Sequence, residues 1–87
     1  MPHFDVNVLV RLREGTLDPA AEALEDGLSG LGFEGVRTLG IDRRIRLRIE
    51  AADARAALAS ADRMARELLA NPVLEDYEIS VAGGERA

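Results

Sequence analysis

The chain has no cysteine, no lysine, a single histidine, and only two phenylalanines and one tyrosine as aromatic residues. Without cysteine there is no disulfide, no thiol nucleophile and no cysteine-bound metal, so nothing covalent supplements the hydrophobic core. The one imidazole, His3, stands near the amino end with no second imidazole or thiol at metal-ligand spacing. Metal and general-base sites need convergent groups held by a rigid shell, so no metal site is expected. Ser29, Ser60 and Ser80 have no base partner in view, and a Ser-His-acid array would have to recruit His3. No catalytic and no cofactor-binding residue is therefore assigned. The shortage of aromatics also removes the stacking platforms that single-stranded nucleic acids use. No apolar run approaches the roughly 20 residues that span a bilayer, and no basic stretch followed by an apolar one opens the sequence, which leads us to expect a cytoplasmic protein without a membrane partner.

What remains is 31% charged and 47% hydrophobic residues in 87, with a formal charge of −5. That acidic balance argues against nucleic acid as a partner while leaving room for a local basic stripe. Surface scaling gives a compact chain of this mass roughly 5000 Å² of accessible surface and about 63% burial. Such a core is thin, and association with another chain would add to it. A single domain spanning 1–87 is expected, with 83–87 fraying after Gly83-Gly84.

From Phe4 to Arg13 the residues alternate, Phe4, Val6, Val8, Val10 and Leu12 against Asp5, Asn7, Arg11 and Arg13, as a half-buried strand does. Leu9 interrupts the polar face. Asp18-Pro19 is a helix start, the carboxylate capping a backbone N–H and the proline filling a position whose donor would be unpaired. Leu17, Leu24, Leu28 and Leu31, alongside Ala20 and Ala21, form a stripe expected to lie on the sheet. Gly32 is suited to a positive-φ cap after a helix ending near Leu31. Asp53 starts a second helix through Ala70, its inner side being Ala54, Ala57, Leu58, Ala61, Met64, Ala65, Leu68 and Leu69. Asn71-Pro72 stops it. A last strand runs from Val73 to Val81 with Tyr77, Ile79 and Val81 on one face.

The stretch from Val36 to Glu50 keeps Leu39, Ile41, Ile45, Leu47 and Ile49 on its odd face, with Thr38, Asp42, Arg44, Arg46 and Arg48 opposite. As one strand it would reach about 50 Å, beyond the usual range. Either it turns back around Gly40 to Arg43 or it bends and lends one half to a neighbour. The unbroken odd register favours the second. The fold class expected is α+β, ferredoxin-like, β-α-β(long, bent or split)-α-β, an antiparallel sheet with two helices on one face.

Glu22, Glu25 and Asp26 read as solvated helix surface. The acids Glu75, Asp76 and Glu78 lie close together and call for neutralisation, with Arg43, Arg44, Arg46 and Arg48 as counter-charges across strands or subunits. Gly30-Leu31-Gly32-Phe33-Glu34-Gly35 follows a helix instead of opening one, and no Lys-Ser or Lys-Thr comes after it, so it is no phosphate loop. Candidate interface residues are Leu9, Arg11, Ile41, Arg43, Arg44, Arg46, Arg48, Asp76, Tyr77 and Glu78.

Three runs carry a resemblance over almost the whole length: Leu17-Asp18-Pro19, Leu31-Gly32-Phe33, and Leu68-Leu69-Ala70-Asn71-Pro72-Val73-Leu74-Glu75-Asp76-Tyr77-Glu78. With these the chain resembles the PurS family, the small subunit of phosphoribosylformylglycinamidine synthase. It departs from the family at Ala21, Asp42 and Arg43, where the usual residues are Gly, Gly and Lys. The resemblance implies a non-catalytic bridging subunit in purine biosynthesis, a dimer or tetramer joined through extended strands. Its implied partners are the synthetase PurL and the glutaminase PurQ. It implies no cofactor on this subunit; the complex uses ATP and glutamine, with Mg²⁺ in the synthetase. The residues alone leave open a different class, a homodimeric regulatory module binding a small molecule, and a tiny enzyme sharing its acidic residues comes last.

Overall fold

The structure is a computed structural model that describes residues 1–82; the fraying expected for 83–87 lies outside the described residues. The order is β1 (His3–Leu12), α1 (Pro19–Gly30), β2 (Arg43–Glu50), α2 (Ala54–Met64), a π-helical turn (Ala65–Leu69) and β3 (Glu75–Val81). β1 is central in an antiparallel sheet ordered β2-β1-β3. Its Val8 lies opposite both Ile45 and Ile79, so the inward side chains of all three strands fall in rows. This is the β-α-β-α-β order expected from the hydrophobic periods.

The core is made of small residues. Val6, Val8 and Val10 are its largest fully buried side chains, and Ala57, Ala61 and Ala65 are wholly buried beneath them. Alanines spaced by four present one flat stripe and let α2 approach the sheet closely. At the end of α2 the N–H of Ala70 reaches the carbonyl of Ala65, 2.9 Å away, in place of the usual fourth residue back. The inserted residue rotates the stripe: Leu69 packs on the core, whereas Leu68, expected inside, is 83% exposed. Met64, also expected inside, is exposed. Asn71 closes the stop by accepting the N–H groups of Val73 and Leu74.

The first helix begins and ends as the sequence predicts. Asp18 accepts the N–H of Ala21 at 3.1 Å with Pro19 in the first turn. Gly32, at φ 95°, lets the chain reverse so that the Phe33 N–H bonds the Leu28 carbonyl. Its seat differs from expectation. The elements that pack closely are the strands with one another and α2 with β1 and β3, and α1 is not among them. Ala21 is the helix's one buried residue, while Leu24 is half exposed. Amphipathicity requires that the stripe be covered, but does not require that this chain cover it.

The 36–50 stretch likewise divides. Only Arg43–Glu50 enters the ladder, and no hairpin folds 36–42 back onto it. The Cα radius of gyration is 16.7 Å, against about 12 Å for a compact globule of this length. The helix α1 and the connection 31–42 form an arm that stands away from the sheet.

Candidate functional site

Strand alternation gives the sheet two unlike faces. The even positions of β1 and the odd positions of β2 and β3 face α2. The opposite face, on which no described element packs, carries Asp5, Asn7, Leu9 and Arg11 from β1, Arg44, Arg46 and Arg48 from β2, and Asp76, Glu78 and Ser80 from β3. Arg48 donates to Asp5 from Nε at 2.7 Å and from Nη2 at 3.1 Å, and this pair holds the Asp5 carboxyl below its ordinary range. Arg11 bonds Glu78, which raises the guanidinium further, and Arg13 lies 3.1 Å from Asp76. Among the described residues Arg44 and Arg46 have no carboxylate within ion-pair range.

Two candidates from the sequence lie on the covered side instead. Arg43 reaches across the end of β1, donating to Glu75 at 2.9 Å and to the Leu69 carbonyl at 2.8 Å. Glu75 also accepts the Asn71 N–H at 2.7 Å, and its side chain is only 12% exposed. The Arg43 bond first, and the Asn71 N–H second, lower the Glu75 carboxyl below its ordinary value. This clamp ties β2, β3 and the helix stop together where the arm departs. Tyr77 donates to Asp62 at 2.6 Å, so its hydroxyl is engaged within the protomer. That bond raises the phenol above its ordinary value.

Arg43 stands at an odd position inside an apolar stripe, and that misfit was the sequence signal for the clamp. Its partner Glu75 was not legible, because β2 and β3 are not adjacent and their relation depends on β1 lying between them. Nor was the role of Glu25, which accepts the Thr38 N–H at 2.7 Å and holds the connection against α1.

Ile41, the remaining candidate, belongs to the arm. There Leu17, Leu31 and Leu39 are 69%, 77% and 93% exposed. With Leu24, Phe33, Val36 and Ile41 they form an apolar surface of a kind that monomers rarely leave in water. A cleft of about 570 Å³ opens between the arm root and the end of β1, lined by Arg11, Arg13, Asp18, Leu39, Asp42 and Asp76 among others. Among the described residues no three His, Asp or Glu side chains gather where a metal could be held, and no helix is long and apolar enough to cross a membrane.

The fold and its two uncovered surfaces define a small α+β, ferredoxin-like protomer built to be joined by other chains. Residues 5–83 match the family model PurS, described as phosphoribosylformylglycinamidine (FGAM) synthase, and the chain belongs to this family. It is 38% identical to the PurS subunit of FGAM synthase from Synechocystis over 97% of this chain and 84% of that protein. The crystal structure of Methanocaldococcus jannaschii PurS, a subunit of formylglycinamide ribonucleotide amidotransferase, superposes with a TM-score of 0.79 at 30% identity, covering 91% and 95% of the two chains. A chain in the structure of PurLQS from Thermotoga maritima gives a TM-score of 0.83 at 32% identity, covering 94% of this chain and 100% of that one.

Proposed function

We propose that this chain is the small subunit of FGAM synthase in purine biosynthesis, a non-catalytic bridge between a glutaminase of the PurQ kind and an ATP-dependent synthetase of the PurL kind. The observation that carries this reading is the match, over 94% of its length, to a chain of the PurLQS structure. In the complex, glutamine hydrolysis supplies ammonia, and formylglycinamide ribonucleotide, ATP and that ammonia give formylglycinamidine ribonucleotide, ADP and phosphate. The bridge holds the two enzymes together, so that ammonia passes at high effective concentration instead of diffusing away. ATP, glutamine and Mg²⁺ belong to the large partners, and the subunit works with them in the cytoplasm. The small-molecule regulatory module is not favoured by relatives matched over 84% and 94% of their own length under the same description.

The subunit acts as a homo-oligomer. Its exposed arm supports this: α1 carries an apolar stripe that its own sheet does not cover, and 36–42 belongs to no strand or helix within the chain. A second copy supplies the cover, β2 presenting a free sheet edge beside it.

The test is to purify the synthetase and glutaminase with and without this chain and measure glutamine-dependent amidation. Co-purification of all three, with coupled turnover lost only when the chain is omitted, is the expected result. Full coupled turnover in its absence, or turnover by the chain alone, overturns the bridge.

A further inference from the structure

Both roots of the arm are fastened to one short segment. The chain leaves the sheet at Arg13, the residue after β1, and returns at Arg43, the first residue of β2. Both lie at the end of the sheet where β3 begins, since Val10 pairs with Arg43 and Leu12 with Glu75. Between the helix stop and β3, residues 69–76 form a knot. Asn71 accepts the Val73 N–H on its side chain at 2.9 Å and the Glu75 N–H on its carbonyl at 2.8 Å, while the Glu75 carboxylate accepts the Asn71 N–H.

A helix end leaves carbonyls that no helical N–H can reach. Here the two arginines take up acceptors at and just beyond that end. Arg43 donates to the Leu69 carbonyl through Nη2 while its Nη1 holds Glu75. Arg13 donates from Nη2 to the Pro72 carbonyl at 2.8 Å and from its backbone N–H to the Leu74 carbonyl at 2.9 Å, with Nε beside Asp76. An isolated surface ion pair contributes little. These contacts differ, because each planar fork spans two acceptors in different directions and a swing of the root breaks several bonds at once. Packing does little to fix the arm's angle. The helix α1 is not closely packed on the sheet, a cleft separates the arm root from the end of β1, and the Glu25 bond to Thr38 lies within the arm itself.

We propose that Arg13 and Arg43 are positioning residues that fix the angle of the arm to the sheet, with 69–76 as their common anchor. Their effect on association rests on the homo-oligomer proposed above; the anchoring itself does not. The angle is fixed only while both roots are held, and an arm released at either root samples other orientations. If it keeps the docking orientation for about a third of the time, and a symmetric pair needs both arms in place, competent pairs fall to about a tenth. The dissociation constant then rises about tenfold. Releasing the second root adds little, whereas two independent local contacts would multiply to about a hundredfold.

The experiment has two readouts. The chain has no cysteine, so E34C/R55C places fluorescent labels only at one exposed position on the arm and one on α2. Energy transfer in single molecules, too dilute for copies to meet, is expected to give one narrow distribution for this labelled chain and a broader one when R13A or R43A is added. In the unlabelled chain, sedimentation over a dilution series is expected to show a dimer about tenfold weaker for R13A, for R43A and again for R13A/R43A. E75Q removes the clamp from its other end and serves if R43A does not fold. A broad distribution without the arginine substitutions, or variants as narrow as the parent, overturns the proposal. So does a loss of about a hundredfold in the double variant, which would make the arginines independent contacts. A chain that stays monomeric at every concentration, yet broadens when either arginine is removed, overturns the oligomeric reading and upholds the anchor.

Discussion

Replacing Leu39 by alanine removes the most exposed apolar side chain of the arm, which is 93% exposed within the protomer. Little folded-state contact is lost inside one chain, so the stability of an isolated protomer should stay within about 0.5 kcal/mol of the parent. In the homodimer proposed above, the second copy would cover the same side chain. Burial of a leucine contributes about 1.5–3 kcal/mol, and truncation to alanine removes most of it, about 2 kcal/mol. A symmetric dimer carries the residue twice, giving about 4 kcal/mol, or close to a thousandfold in dissociation constant. Sedimentation equilibrium over a dilution series measures this directly. Leu68→Ala is the control: it is 83% exposed in the π-helical turn after α2, outside the arm, and should leave the constant within about threefold. A Leu39→Ala chain that dimerises as tightly as the parent would refute the claim that the arm is covered by a second copy.

Glu75→Gln tests the clamp. The ordinary glutamate value is 4.5 and the folded carboxyl lies below it; its stabilisation is therefore complete above about 4.5 and lost as pH falls through the lowered folded value. The variant should lose stability at neutral pH and show a flatter acid limb in denaturant melts, and an unchanged limb would remove Glu75 from the account. Ala61→Leu forces a larger side chain into the fully buried stripe between α2 and the sheet. It should cost roughly 1–3 kcal/mol by thermal or urea unfolding, and a neutral result would mean that α2 is not packed closely.

The strands and helix ends were legible because each depends on local chemistry. The valine alternation of β1 fixes its buried face, and Asp18 and Asp53 each accept an N–H three residues on, at 3.1 and 2.8 Å. The π-helical turn was not legible, since one inserted residue changes a backbone bond while leaving leucines at 68 and 69 that fit an α-helical stripe equally well. The seat of α1 was illegible for a different reason. Leu24 and Leu31 show that an apolar surface needs covering, and sequence period contains no information on which chain does so. Among the candidate residues, Leu9, Arg11, Arg44, Arg46, Arg48, Asp76 and Glu78 share the open face through simple alternation. Arg43 and Tyr77 are turned the other way by that same alternation, and their partners Glu75 and Asp62 required the tertiary fold.

The protomer has a thin valine and alanine core beside an arm that finds no place on it. Amide hydrogen exchange across 36–42, followed as protein concentration is raised, tests the completion of this arm by another chain most directly. Thr38 apart, whose N–H Glu25 already accepts within the protomer, the account predicts near-unprotected exchange in dilute monomer and protection growing in step with dimer, because the other amides gain strand partners only from the second copy. Equal exchange at every concentration, whether fast or slow, would contradict it.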